Sequence, residues 1–156
     1  MDIYKRMEDM GIVLPYPPKK GGVYAPVKTF GENFAYVSGC GNIIKGTSEL
    51  KGKIGKDLTF EQGQLAARSC ILNILAVLDA KLGDLGKIQS FVKMIVFVAS
   101  DSEFTHQPEV ADAASSLLVD IFGEEIGCSS RSAIGVNTLP ANIPVEIEML
   151  VELKVV

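Results

Sequence analysis

The chain has no tryptophan, one histidine and three cysteines among its 156 residues. Each shortage closes off a class of chemistry. A single histidine, His106, excludes a three-histidine metal site within one chain, and excludes a Ser-His-Asp triad unless His106 itself serves. Cys40, Cys70 and Cys128 are odd in number with no CxxC spacing, which argues against a disulfide framework or a zinc site. No run of eighteen apolar residues occurs, so no membrane partner is expected. The opening "MDIYKRMEDMGIVLPYPP" lacks the apolar core of a secretory signal, and the expected location is the cytoplasm. Basic charge is also scarce. Fifteen Lys and Arg face nineteen Asp and Glu, a formal net charge of −4. The densest basic stretch, "KGKIGK" (Lys51, Lys53, Lys56), reads as a solvated glycine-rich loop. No basic groove for nucleic acid is expected.

What remains is 47% hydrophobic and 22% charged, the composition of one soluble globular domain over residues 1–156. Residues 1–22 read as an irregular N-terminal arm, because "PYPPKKGG" crowds prolines and glycines together. "FAYVSG" (34–39) is aromatic and β-branched and predicts a strand, paired with "VYAPVKTF" through the turn "GEN". The clearest helix is 59–82. Thr59 and Gln62 form a capping box, Leu65, Leu72, Leu75 and Leu78 or Leu82 suggest an apolar stripe, and Gly83 stops it.

"KIQSFVKMIVFVAS" predicts a central strand. Ile88, Val92, Met94, Val96 and Val98 are expected on one face, with Phe91, Ile95 and Phe97 on the other. Lys93 is out of place there and is expected to pair with a glutamate of the last strand. A second helix is expected from Pro108 to Phe122, with Val110, Ala114, Leu117 and Ile121 inward and Gly123 after it. Two strands, "SAIGVNTL" and "PVEIEMLVELKV", flank a turn at Pro140–Ala141–Asn142. On the last strand, Val145, Ile147, Met149, Val151 and Leu153 share one face, and Glu146, Glu148, Leu150 and Glu152 the other. The order is an α+β pattern: a mixed sheet with two helices on one face. The second sheet face mixes glutamates with apolar residues, which suggests an oligomer interface with clefts in it.

"YVSG", "GDLGKIQSFVKMIVFV" and "RSAIGVNTLPANIPVEIEML" resemble, in that order, the RidA family, also called YjgF/Rid or endoribonuclease L-PSP. The resemblance runs from about Tyr24 to Leu153. Its most specific piece is R-S-x-x-x-V-x-x-L-P-x-x-x-x-V-E-I-E. The long arm and the "ADAASSLLVDIFGEE" helix resemble a subgroup of about 150 residues. The resemblance implies a chorismate-mutase-like fold and a homotrimer whose sheets form a central barrel. It implies an imine/enamine deaminase that needs no cofactor and no metal. Such enzymes hydrolyse 2-aminoacrylate and related 2-imino acids to 2-keto acids and ammonia, in clefts between subunits.

The resemblance assigns catalytic roles to Arg131 and Glu146. Arg131 would hold the substrate carboxylate with a two-pronged guanidinium; the plainer reading is an ordinary ion pair. Glu146 would hold and activate water. Periodicity does not separate Glu146 from Glu148, and only the resemblance prefers Glu146. Tyr24 matches a tyrosine that closes over the ligand, or is structural. Ser38 and Gly39 match a pair that offers donors to a ligand, or form a bulge. Two neighbours depart from the pattern and colour the substrate pocket: Cys40 replaces the usual glutamine, and Ala133 stands where many members have cysteine. His106 at a helix start is expected to be structural, Cys70 in the first helix a buried small hydrophobe and Cys128 a loop residue. A member that binds small carboxylates or a protein without turnover is the alternative. An acidic chain with one histidine disfavours the ribonuclease of the older label.

Overall fold

The computed structural model describes residues 2–44, 46 and 48–155. Five strands form one sheet: β1 (Val27–Phe30), β2 (Phe34–Gly41), β3 (Ile88–Ala99), β4 (Ser130–Val136) and β5 (Val145–Leu153). Their order is β1-β2-β5-β3-β4. Every pair is antiparallel except β3 with β4. That parallel pair needs a crossover, which α3 (Gln107–Phe122) and the short α4 (Glu124–Gly127) provide. The long helix α2 (Phe60–Leu82) packs on β2, β5 and α3. The sheet is thus mixed, with α2 and α3 on one face, as the sequence predicts.

Helix ends follow the sequence. Thr59 accepts from Gln62 N and Gln62 Oε1 accepts from Thr59 N, so the capping box closes. Gly83 takes φ 74° at the C-terminal end, a left-handed conformation that glycine adopts without a Cβ clash. Val110, Ala114, Leu117 and Ile121 of α3 are all buried.

Three expectations shift. Leu65 is 59% exposed, while Ala66, Ala67, Cys70, Ile71, Ile74, Leu75 and Leu78 are buried. Wedged between sheet and α3, α2 buries a broad face that keeps Leu75 and Leu78 of the expected stripe, adds alanine and isoleucine, and leaves Leu65 outside. In β3, Phe91 joins Met94, Val96 and Val98 in the core, because the register with β5 slips between Ile88 and Ser90 and again between Phe91 and Lys93. Strict alternation cannot foresee a bulge. Phe91 then meets Phe122 edge-on, ring centres 4.9 Å apart, tying β3 to the end of α3.

The third concerns the arm, which begins with a helix, α1 (Ile3–Asp9). Asp2 caps it through Lys5 N, and Ile3 and Met7, one turn apart, are buried. Tyr4 donates its hydroxyl hydrogen to Asp79 of α2 and accepts from Leu85 N. The proline-glycine cluster lies beyond α1 and says nothing about its first turn.

Candidate active site

The site starts from a bulge. β2 pairs with β5 at Val37–Met149 and again at Cys40–Ile147, so β2 spends one extra residue at Ser38–Gly39. Such a bulge bends its strand away from the partner. The Ser38 hydroxyl donates to Ala25 O at 2.7 Å and Ser38 N donates to Pro26 O at 2.9 Å, so the bulge fastens the end of the arm. Gly39 stands against Glu146. A Cβ there would overlap Glu146 Oε1 and lie 2.7 Å from Cδ. The bulge reading of Gly39 thus describes its place, with Glu146 packed where a side chain would go.

Glu146 sits between Gly41 and Phe97 across the sheet. Its carboxylate makes no hydrogen bond among the described residues. Its pKa is raised above the usual carboxylate range, first by burial and then by the charge of Glu148. Glu148 is occupied: it accepts from the Tyr36 hydroxyl at 3.0 Å. Two glutamates that periodicity leaves alike are thus distinguished by their neighbours.

A cavity of about 530 Å³ gathers Tyr24, Ser38, Gly39, Cys40 and Glu146. The arm forms one wall, Val77 of α2 another, and the turn at Pro140–Ile143 the third. The Tyr24 hydroxyl accepts from Gly21 N at 3.1 Å and so shapes the arm's own turn. Burial pushes the Cys40 thiol up to about 12, with Glu146 adding to it, so Cys40 is a neutral thiol at physiological pH.

Arg131 and Ala133 lie elsewhere in the chain. Arg131 pairs with Met94 of β3, which pairs in turn with Met149 of β5, whereas Glu146 is aligned with Phe97 and Ile134. That register puts Arg131 two strands, or about 10 Å, from the Glu146 strand, and on the opposite sheet face. The last two strands are not neighbours as the turn between them suggests, because β3 lies between them. Arg131 Nη1 donates to Asp112 Oδ1 at 2.8 Å and to Ser115 Oγ at 2.9 Å on α3.

The sequence reading missed two parts of the cavity. Ala141 (φ 57°), which lines it, and the adjacent Asn142 (φ 58°) both adopt the left-handed conformation. A non-glycine residue there costs on the order of 1–2 kcal/mol, and nothing in "LPANIP" beyond the asparagine signals it. Asn73, buried in α2, donates from Nδ2 to Gly41 O at 2.8 Å and Ile43 O at 2.7 Å, fixing the cavity floor. Its signal was legible: an asparagine inside "ILNIL", where an amide needs a partner.

The remaining candidates do not line this cavity. His106 precedes α3 and meets Glu109 Oε1 at 3.3 Å. Cys70 is buried with its thiol directed to Val145 O at 3.4 Å, and Cys128 is exposed. Lys93 donates to Ser132 Oγ at 2.8 Å rather than pairing with a glutamate of β5. Among the described residues no group of three His, Cys, Asp or Glu is placed to hold a metal, and no helix is long and apolar enough to cross a membrane.

Residues 5–153 match the family model described as "YjgF/chorismate_mutase-like, putative endoribonuclease". The chain belongs to the YjgF family. Within and around it, the chain is 45% identical over 105 residues to Protein TCP17 of Trypanosoma cruzi, a match covering 67% of this chain and 66% of that protein, just under two thirds of the relative's length. It resembles the crystal structure of Atu1372 from Agrobacterium tumefaciens, a protein of unknown function, with TM-score 0.89 and 37% identity over 97% of this chain and 92% of that one. It also resembles a "putative endoribonuclease" from Shewanella oneidensis, with TM-score 0.92 and 27% identity over 98% and 100% of the two chains. The YjgF fold places the resemblance motif on β4 and β5, with Glu146 at the cavity and Arg131 at the far edge strand.

Proposed function

We propose that this YjgF-family chain hydrolyses small 2-imino acids to 2-keto acids and ammonia, in a site completed by a second copy of the chain. One observation carries the reading: Glu146 is a half-buried carboxylate with a raised pKa, facing a cavity, and its carboxylate has no hydrogen-bond partner among the described residues. A carboxylate poised nearer neutrality is suited to take a proton from water. Water attacks the imine carbon as Glu146 receives its proton. A carbinolamine forms, the nitrogen is protonated, and the C–N bond breaks as the carbonyl forms. One water is consumed and one ammonia leaves.

The substrate carboxylate needs a cation, and Arg131 lies too far away within one chain. β4 is an edge strand at the opposite side of the sheet from the arm. A head-to-tail contact between copies brings such an edge to a neighbour's cavity, and closes into a ring. The other sheet face supports this contact. Tyr36, Phe30 and Ile134 are exposed on it beside half-buried Ile95, Phe97 and Leu150. This agrees with the trimer that the resemblance implies.

The test generates 2-aminoacrylate with a dehydratase and follows keto-acid release. Faster release with the wild type, lost in Arg131→Ala and in Glu146→Gln, is expected. No acceleration with several imino acids overturns the reading. The bond of Arg131 to Asp112 and Ser115 favours a second reading, in which the arginine is structural and the cavity binds a carboxylate without turnover. Stabilisation by keto acids in a thermal shift, with no hydrolysis and no dependence on Arg131, is its signature.

A further inference from the structure

The arm that walls the cavity brings charge with it. Lys19 and Lys20, which the sequence reading assigns to a plain lead-in, both line the 530 Å³ cavity with Glu146. Neither makes an ion pair or a hydrogen bond with any described residue. An adjoining cavity of about 670 Å³ shares Pro18, Lys20, Tyr24 and Pro26 with the first, and adds Lys81 from α2. Among the described residues, the lining of both cavities holds three lysines and one carboxylate, Glu146. The chain as a whole carries net charge −4, so this basic end is local, against the overall balance.

The basic end is held in place from several directions. Ser38 ties Ala25 and Pro26 to the bulge through two hydrogen bonds, and Tyr24 closes back on Gly21 N. Pro17 and Pro18 restrict the backbone just before the lysines. The lysines thus stand at the cavity mouth on an anchored segment.

We infer that the cavity selects 2-imino acids bearing a second, distal carboxylate, which Lys19 and Lys20 bind at the cavity mouth. The inference rests on the reading of Glu146 as the residue that activates water, and extends it to the substrate's far end. A dicarboxylate fits the charge layout. Its reacting carbon lies at Glu146, its 2-carboxylate meets the arginine of a neighbouring copy, and its distal carboxylate reaches the lysines. Ammonium groups at an exposed mouth attract anions without fixing geometry, so the selectivity expected is modest for each lysine.

The experiment compares two substrates of equal carbon count, made in place by an amino-acid oxidase: 2-iminoglutarate from glutamate and 2-iminopentanoate from norvaline. With the wild-type protein, kcat/KM is expected to favour the diacid. In Lys19→Ala/Lys20→Ala that preference falls roughly fivefold, as two exposed ion pairs allow, while the monoacid changes less than twofold. Equal preference in the wild type, or an equal loss for both substrates in the variant, overturns the inference. Calorimetric binding of 2-oxoglutarate and 2-oxopentanoate separates the two claims. If neither imine is hydrolysed, the proposed activity falls, and the inference stands only if the diacid binds more tightly and the double variant removes that difference. Equal binding sinks it.

Discussion

Gly39 leaves the space that the Glu146 carboxylate occupies: a Cβ at position 39 would overlap Glu146 Oε1. One missing methyl on β2 therefore sets where a carboxylate of β5 points. Gly39→Ala is expected to displace that carboxylate while the core beneath, Val37 and Ile147, stays packed. Overpacking of this kind costs about 1–3 kcal/mol. Hydrolysis should drop at least tenfold in kcat, with circular dichroism unchanged. Full activity in Gly39→Ala would show that Glu146 does not need its present position.

Asp112 holds one nitrogen of Arg131, at 2.8 Å. Ser115 Oγ accepts from the same nitrogen at 2.9 Å. On the proposed reading, in which Arg131 binds the substrate carboxylate, Asp112 is a positioning residue for it. Asp112→Ala is expected to raise KM about fivefold with kcat nearly unchanged, the scale of a solvent-exposed ion pair. Asp112→Asn, which keeps an oxygen acceptor, should restore most of the loss. A fall in kcat alone, with no rescue by asparagine, would contradict the assignment.

Glu146 is raised by burial and then by Glu148, which fixes the direction of two pH effects. In activity, the acidic limb of kcat/KM reports a base that must be deprotonated. Glu148→Gln removes the neighbouring charge and should move that limb to lower pH, while Glu146→Gln abolishes it. In stability, the folded state keeps a proton that the unfolded chain has already released between the ordinary carboxylate range and the raised value. Stability contributed through this group therefore falls as pH rises across that window. Glu146→Gln should melt higher than the wild type at neutral pH, and the gap should close below the ordinary carboxylate range. A melting difference that does not vary with pH would count against the raised pKa.

The cysteines differ in reach. Cys40 is buried with a thiol pushed up to about 12, whereas Cys128 is exposed. The thiolate is the reactive form. Iodoacetamide on the folded protein should label Cys128 well before Cys40, read by peptide mass. Cys40→Ala should keep most of the hydrolysis, because no step uses the thiol. Rapid labelling at Cys40 would mean that the cavity opens further than its packing indicates.

Much of this architecture is local and was legible in residue order. The Thr59–Gln62 box, Gly83 and Gly123, the "GEN" hairpin and the alternation of β5 are short-range signals, and each became the element it predicts. The motif from Arg131 to Glu148 identifies the family for the same reason: its residues are close in sequence. Periodicity failed where a neighbour changed the phase or the width of a face, at the β3 bulges beside Phe91 and on α2 between sheet and helix.

The sequence by itself determined which side chains exist to do chemistry, and the strand face on which Glu146 and Glu148 both stand. Only the tertiary structure decided between them. Tyr36, remote in sequence, takes Glu148, while Gly39 at the β2 bulge leaves the space that the Glu146 carboxylate occupies, where it makes no hydrogen bond among the described residues. The same is true of Arg131, fifteen residues from Glu146 in the chain and two strands away in space, because β3 inserts between β4 and β5. Strand order is set by long-range pairing and burial, which no local spacing records.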